Sequence, residues 1–181
     1  MTVSVTGSWH NGRERLSGTV EVDEFVIGGQ KPGKRGRGAN GKTIVVAAVE
    51  KQVKKLGRIR LQVVPDCSGD VLEQFISANV IPESTVVTDG WRGYNFLDKS
   101  SHMHDQIVAS RTPKKDSVLP GVHLIASLVK RLILGTFQGR FAPEHLQSYL
   151  DEYVWEHYQF VNKKVFYSDI WLFLYLSKIL S

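Results

Sequence analysis

Thr43 to Val49 reads TIVVAAV, an almost unbroken run of β-branched and small apolar residues. A strand of that kind has no polar face to offer to water, so it belongs inside a sheet covered on both sides. Two neighbouring runs alternate instead. Thr19 to Ile27 (TVEVDEFVI) and Ile59 to Val64 (IRLQVV) carry the period of two that marks strands with unlike faces. Ser84 to Thr88 (STVVT) adds a fourth strand, and His104 to Ser110 (HDQIVAS) a fifth.

The covering layers are helical. Leu72, Phe75, Ile76 and Val80 recur at helical spacing, which predicts a helix over Gly69 to Asn79 with Ser68 as its N-cap and Pro82 beyond its end. A short helix is expected over Gly93 to Leu97, and LPG at Leu119 to Gly121 reads as a turn. Val122 to Leu134 (VHLIASLVKRLIL) is a helix, and Pro143 to Tyr158 another, with Leu146, Leu150 and Val154 on one face. Three strands, a helix, a strand, a short helix, a strand and then helices describe an α/β layer with helices on a mixed sheet of about five strands.

At 181 residues the chain supports one domain. Residues 1–17 are polar and read as a poorly ordered lead-in without the apolar centre of a signal peptide. The folded domain is expected over residues 18–181. Ile170 to Leu180 (IWLFLYLSKIL) is apolar, but it is too short to span a bilayer and carries Lys178, so it reads as a buried terminal helix. Cys67 is the single cysteine, which excludes both a disulfide within the chain and a Cys/His zinc module. A cytoplasmic, reducing setting without membrane contact is the expectation.

Asp23 and Asp89 carry the chemistry. Each follows a β-branched run, so each is expected where a strand delivers a side chain to the edge of the sheet. Two such carboxylates brought together attract divalent cations, and two-metal sites cut and join phosphodiesters. The net charge of +5 favours a polyanionic partner. Gly28 to Lys42 (GGQKPGKRGRGANGK) reads as a basic loop in which Lys31, Lys34, Arg35, Arg37 and Lys42 can neutralise phosphates. Arg92, Lys130, Arg131, Lys163 and Lys164 are further candidates, and Trp91 and Tyr94 suit either base stacking or core packing. Glu21 reads as a structural residue on the opposite strand face from Asp23. His102 and His104 share a strand face but lack a third ligand, so no metal site is expected there.

VEVDEFVIGG, GKRGRG, VVTDGWRGYN, LPGVH, LVKRLILGTFQG and PEHLQSYLDEYVW together resemble the catalytic domain of ISXO-type insertion-sequence transposases, from about Arg13 to Trp155. Those enzymes belong to the DDE superfamily. The resemblance implies a ribonuclease H-like fold, metal-dependent DNA strand cleavage and strand transfer, DNA as partner, Mg2+ or Mn2+ as cofactor, and a homo-oligomer when active. Asp23 and Asp89 match the first two acids of the family pattern. The third position falls on a later helix, with a Lys or Arg two turns further on. Counting back from Lys130 reaches His123, and seven residues are close to two helical turns, so the pair shares a face. Glu152 in YLDEY is the rival third acid. An Asp23/Asp89/His123 metal site with Lys130 on a DNA phosphate is the expectation.

The chain also departs from the family. Its members begin with a zinc ribbon and a DNA-reading helical region, and MTVSVTGSWHN resembles neither. From about residue 156 the sequence diverges, with EHYQF before Val161, Asn162 and the lysine pair. A truncated copy is therefore expected, its activity retained or lost. A non-catalytic DNA-binding remnant and a nuclease-fold interaction module stand as alternatives.

Overall fold

A computed structural model of the protein describes residues 14–28, 42–52, 55–107, 119–137 and 143–161. Five strands form one mixed sheet: β1 (Thr19–Ile27), β2 (Thr43–Lys51), β3 (Leu56–Val64), β4 (Thr85–Thr88) and β5 (Met103–Gln106). Their spatial order is β3-β2-β1-β4-β5. The first three are antiparallel neighbours, whereas β4 runs parallel to β1 and β5 parallel to β4. This arrangement is consistent with a ribonuclease H-like fold. TIVVAAV is the second strand and lies fully within the sheet, with Val45 to Val49 buried.

The two sheet faces pack against different helices, α1 (Gly69–Asn79), α2 (Pro120–Phe137) and α3 (Leu146–Val161). Alternate residues of the strands sort into two cores, as the pleat requires. Phe25, Ala47 and Leu61 pack with Val122, Ile125 and Val129 of α2 and Leu150 of α3. Val22, Val46 and Val86 pack on the other face with Leu72, Phe75 and Ile76 of α1, and with Tyr94 and Leu97. Tyr94 and Leu97 sit in a 3-10 turn over Arg92–Lys99, longer than the short helix expected.

α1 has the predicted limits, but the Ser68 side chain makes no capping hydrogen bond. α2 begins at Pro120, so LPG opens the helix instead of forming a separate turn. Proline suits a first helical turn because its missing N–H has no partner there anyway. β5 ends at Gln106, short of the expected Ser110, and residues 108–118 lie outside those described. The basic stretch with Lys31, Lys34, Arg35 and Arg37, the Lys163–Lys164 pair, the lead-in up to residue 13 and the apolar Ile170–Leu180 run also lie outside them.

α3 protects a sheet edge. β3 is an outer strand, and unpaired strand backbone invites association. Gln147 accepts a hydrogen bond from Val63 N at 2.8 Å and donates one to Leu61 O at 3.2 Å. His157 Nε2 donates to Gly57 O at 2.8 Å, and burial pushes its pKa down.

α2 is fixed by one carboxylate. Glu21 projects from β1 into the interior and accepts from Gly121 N at 2.7 Å and Val122 N at 3.1 Å. These are amides of the first helical turn, which have no partner within the helix. The negative charge also meets the positive end of the helix dipole. Lys51 Nζ, 3.5 Å from Glu21 Oε1, adds a cation from β2. Gly121 permits the approach, since a Cβ there would lie 2.8 Å from Glu21 Oε2 and 3.1 Å from Leu56 Cδ2. Glu21 therefore shares its face with Asp23. The expectation of opposite faces fails because residues two apart on a strand point the same way.

Glu21→Ala leaves two buried amides without their acceptor and is expected to cost about 2–4 kcal/mol in urea unfolding. Gly121→Ala forces the helix start off the carboxylate, at about 1–3 kcal/mol. Losses below about 0.5 kcal/mol for both would show that this contact does not anchor α2.

Candidate functional site

The two aspartates lie just past the end of the parallel ladder. Thr19, Val20 and Glu21 pair with Thr85, Val86 and Val87, and beyond Glu21 the ladder to β4 stops. Continuing that register brings Asp23 opposite Asp89, the residue that follows β4. Asp23 is at the middle of β1, not at the strand end the sequence suggested. It reaches an edge all the same, because its neighbour β4 is the shorter strand. The carboxyl ends of parallel strands are where open α/β sheets hold ligands.

A cleft of about 490 Å³ opens here, bordered by Asp23, Glu24, Cys67, His123, Ser127 and Lys130. Because β1 extends past β4, side chains from both of its faces reach this space. Asp23 belongs to the α2 side and Glu24 to the other. Asp23 Oδ1 accepts from the Glu24 N–H at 2.8 Å, and its Oδ2 lies 3.3 Å from His123 Nε2. His123 lies two residues beyond Gly121, as Asp23 lies two beyond Glu21. The Glu21 contact thus sets helix and strand in step. Lys130, two turns further along α2, extends over the Phe25 ring with Nζ 5.5 Å from its centroid.

Asp23 is the strained group. Its pKa is pushed up from 3.8 to about 6. Burial is the largest cause, since a carboxylate loses hydration, and the negative charges of Glu24 and Asp89 add to it. The Glu24 N–H bond and the nearness of His123 act in the opposite direction without cancelling the rise. Asp89 does not border the cleft, and its link to the site is this effect of its charge on Asp23.

Asp89 and Glu24 are held by neighbours from the 3-10 region. Asp89 Oδ1 accepts from Trp91 N at 2.8 Å, an Asx-type turn. Tyr94 donates its phenolic proton to Glu24 Oε2 at 3.1 Å. Burial, with the charges of Glu24, Asp23 and Asp89, holds the Tyr94 phenol well above its ordinary pKa, so it stays a donor. Tyr94 has no exposed surface, which removes it from base stacking. Trp91 is 36% exposed and retains an accessible ring. Its Nε1 donates to Cys67 O at 3.5 Å.

Other sequence candidates fall outside the cleft. Glu152 is on the exposed side of α3, the helix beside β3 at the far edge of the sheet. Arg92, Arg131 and Lys42 are exposed and do not border the cleft. Lys34, Arg35 and Arg37 lie outside the described residues. Glu21 is structural, as the sequence suggests, but its contact with α2 and the role of Glu24 are not read from the sequence. The period of two signals the first, and nothing local signals the second.

The donors present fit a hard divalent cation in type and charge. Carboxylate oxygens suit magnesium or manganese, an imidazole ligand would shift the preference toward manganese, and a cation would relieve the repulsion that adds to the rise at Asp23. Among the described residues, no three His, Cys, Asp or Glu side chains are gathered into a complete metal-holding group. Also among them, no helix is long and apolar enough to cross a membrane.

Comparison with known families gives a match to the ISXO2-like transposase domain over residues 15–157. No curated protein matches the chain.

Asp23 sets a pH dependence for the metal-free protein. Its folded pKa of about 6 lies above the ordinary 3.8, so the folded state holds this proton more tightly than the unfolded chain. The stabilisation is complete below about pH 4 and is lost as pH rises through about 6. Asp23→Asn, which mimics the protonated form, is expected to stabilise the protein by about 1–3 kcal/mol at pH 8 and hardly at pH 4. Urea melts of both proteins across pH 4–8 check this. An equal effect at both ends of the range would contradict it.

Proposed function

The chain belongs to the ISXO2-like transposase domain family, insertion-sequence transposases of the DDE type, and from that premise we propose that it cleaves and transfers DNA strands at the cleft between β1 and α2. The observation that carries this reading is Asp23 facing His123 at 3.3 Å in that cleft, with the charge of Asp89 acting on Asp23 and Lys130 on the same helix as the histidine. In the first step water adds to a phosphorus at the transposon end and O3′ leaves. In the second, the freed 3′-hydroxyl gives up its proton and attacks a phosphorus of the target, whose own O3′ leaves and takes up a proton.

Asp23, Asp89 and His123 are the residues to hold the divalent cations on which this family depends, magnesium or manganese. Bound there, such ions stabilise the attacking and leaving oxygens. The protein's own groups do the remaining work. Lys130 lies at the cleft border, where its ammonium can bind a backbone phosphate as a compact point charge. Phe25 beneath it limits its range of positions. Tyr94 fixes Glu24, and the Trp91 amide fixes Asp89, so the acidic wall is formed before substrate arrives. Arg92, Arg131 and Lys42 are exposed cations that can take further phosphates, and Lys34, Arg35 and Arg37 of the basic stretch are DNA-binding candidates by residue type. Joining two ends calls for a homo-oligomer, and the work takes place in the cytoplasm.

The purified chain incubated with nicked or linear DNA and Mn2+ tests the reading. Strand cleavage is expected, and Asp89→Ala and His123→Ala are expected to lower it by at least about a hundredfold. Glu152→Ala is expected to leave it within about twofold. The reverse pattern would transfer the third position to Glu152. Lys130→Ala is expected to weaken DNA binding and reduce the slope of log affinity against log salt by about 1. Salt-sensitive binding without cleavage would establish a non-catalytic DNA-binding remnant instead. No DNA binding at low salt would leave a nuclease-fold module that joins a protein complex.

A further inference from the structure

One buried polar chain ends at Asp89 and has no part in the scheme above. Thr88, the last residue of β4, is completely buried. Its Oγ1 donates to the backbone carbonyl of Asp89 at 3.0 Å and lies 2.9 Å from His104 Nε2. His104, on β5, has its Nδ1 2.7 Å from Asp98 Oδ1. The His104 side chain is 7% exposed and that of Asp98 68%, so the chain runs from solvent to the backbone of the site.

We propose that Asp98, His104 and Thr88 form a positioning relay that fixes the main chain at Asp89. A hydroxyl has one proton to donate. Given to the Asp89 carbonyl, it leaves Thr88 Oγ1 to accept from His104 Nε2–H while the Asp98 carboxylate accepts from Nδ1–H, so the series is made by the imidazolium form of His104, paired with the Asp98 carboxylate. Each bond in that sequence polarises the next. Asp98 fixes the ring, the ring fixes the hydroxyl, and the hydroxyl fixes the peptide that follows Asp89.

The placement has a reason. Asp89 follows the last residue of β4, and the ladder that holds Thr88 does not extend to it. Ile107 N donates to Thr88 O at 2.9 Å, so β5 still grips the strand at that residue. One residue later, the side-chain relay takes over from the backbone ladder. The carboxylate then needs only the Trp91 amide to complete its orientation. Thr88 is too enclosed to meet substrate, which excludes a nucleophilic role for this Thr-His-Asp series. All three residues are positioning residues.

The inference rests on Asp89 being a site carboxylate, and amide hydrogen exchange by NMR tests it apart from cleavage. Exchange at the Trp91 amide reports the placement of the Asp89 carboxylate, and exchange at Val86 reports the integrity of β4. Thr88→Val and His104→Gln are expected to speed exchange at Trp91 by about tenfold with Val86 unchanged. Thr88→Ser, which retains the hydroxyl, is expected to stay within about twofold of the parent. Where the parent cleaves DNA, Thr88→Val is expected to lower kcat by about tenfold with DNA affinity retained, and Thr88→Ser to restore it. Unchanged exchange at Trp91 in both disrupting variants overturns the relay. Loss of protection at Val86 together with Trp91 also overturns it, because the bonds would then hold the strand and not Asp89. A parent that never cleaves DNA but shows the Trp91 response overturns the cleavage reading and leaves the relay standing.

Discussion

The arrangement depends on a buried carboxylate at the start of a helix. Glu21 satisfies two amides of α2 that no intrahelical bond can reach, and it does so from within the sheet. The contact fixes where α2 begins and how it is rotated, because the amides of consecutive residues must meet the same oxygen. Two residues on along both elements, His123 faces Asp23. Two turns further, Lys130 reaches the same cleft. A glycine at position 121 is part of the requirement, since the approach leaves no room for a side chain.

The site itself works against stability. Asp23 is largely enclosed beside two other acids, and its carboxyl holds a proton far above the normal range as a result. A fold selected for stability alone would not gather these charges. They are tolerated because each is tied to a fixed donor: Glu24 to the Tyr94 phenol, Asp89 to the Trp91 amide, and Asp23 to the Glu24 amide. The packing of both cores then supplies the rigidity. Phe25 and Val22, on either side of Asp23, anchor β1 to α2 on one face and to the α1 layer on the other.

Much of the framework was legible because its signals are local. The apolar TIVVAAV run, the alternation in β1 and β3, and the spacing of Leu72, Phe75 and Ile76 identify their elements, and α1 has its expected limits. Signals that depend on neighbours were less legible. Asp23 sits at an edge because β4 is short, a fact about another segment of the chain. Glu21 was assigned to the wrong face although the strand period was in plain view. Tyr94 has the composition of a stacking residue, yet its burial and its bond to Glu24 come from the packing of the 3-10 turn on α1 and β1. Ser68 stands where a cap belongs but makes no capping bond. Residue type gives a capacity to bond, and the surrounding backbone decides whether it is used.

By itself the sequence determined the elements, their order and the two aspartates, because hydrophobic period and β-branching act over a few residues. It also supplied the pairing of His123 with Lys130, since helix geometry fixes which residues share a face. Tertiary structure decided which of these groups meet. Parallel pairing of β1 with β4 brings residues more than sixty positions apart side by side, and the Glu21 contact orients a helix a hundred residues away. No local pattern encodes such distances. They follow from strand register and from the requirement that buried amides find acceptors.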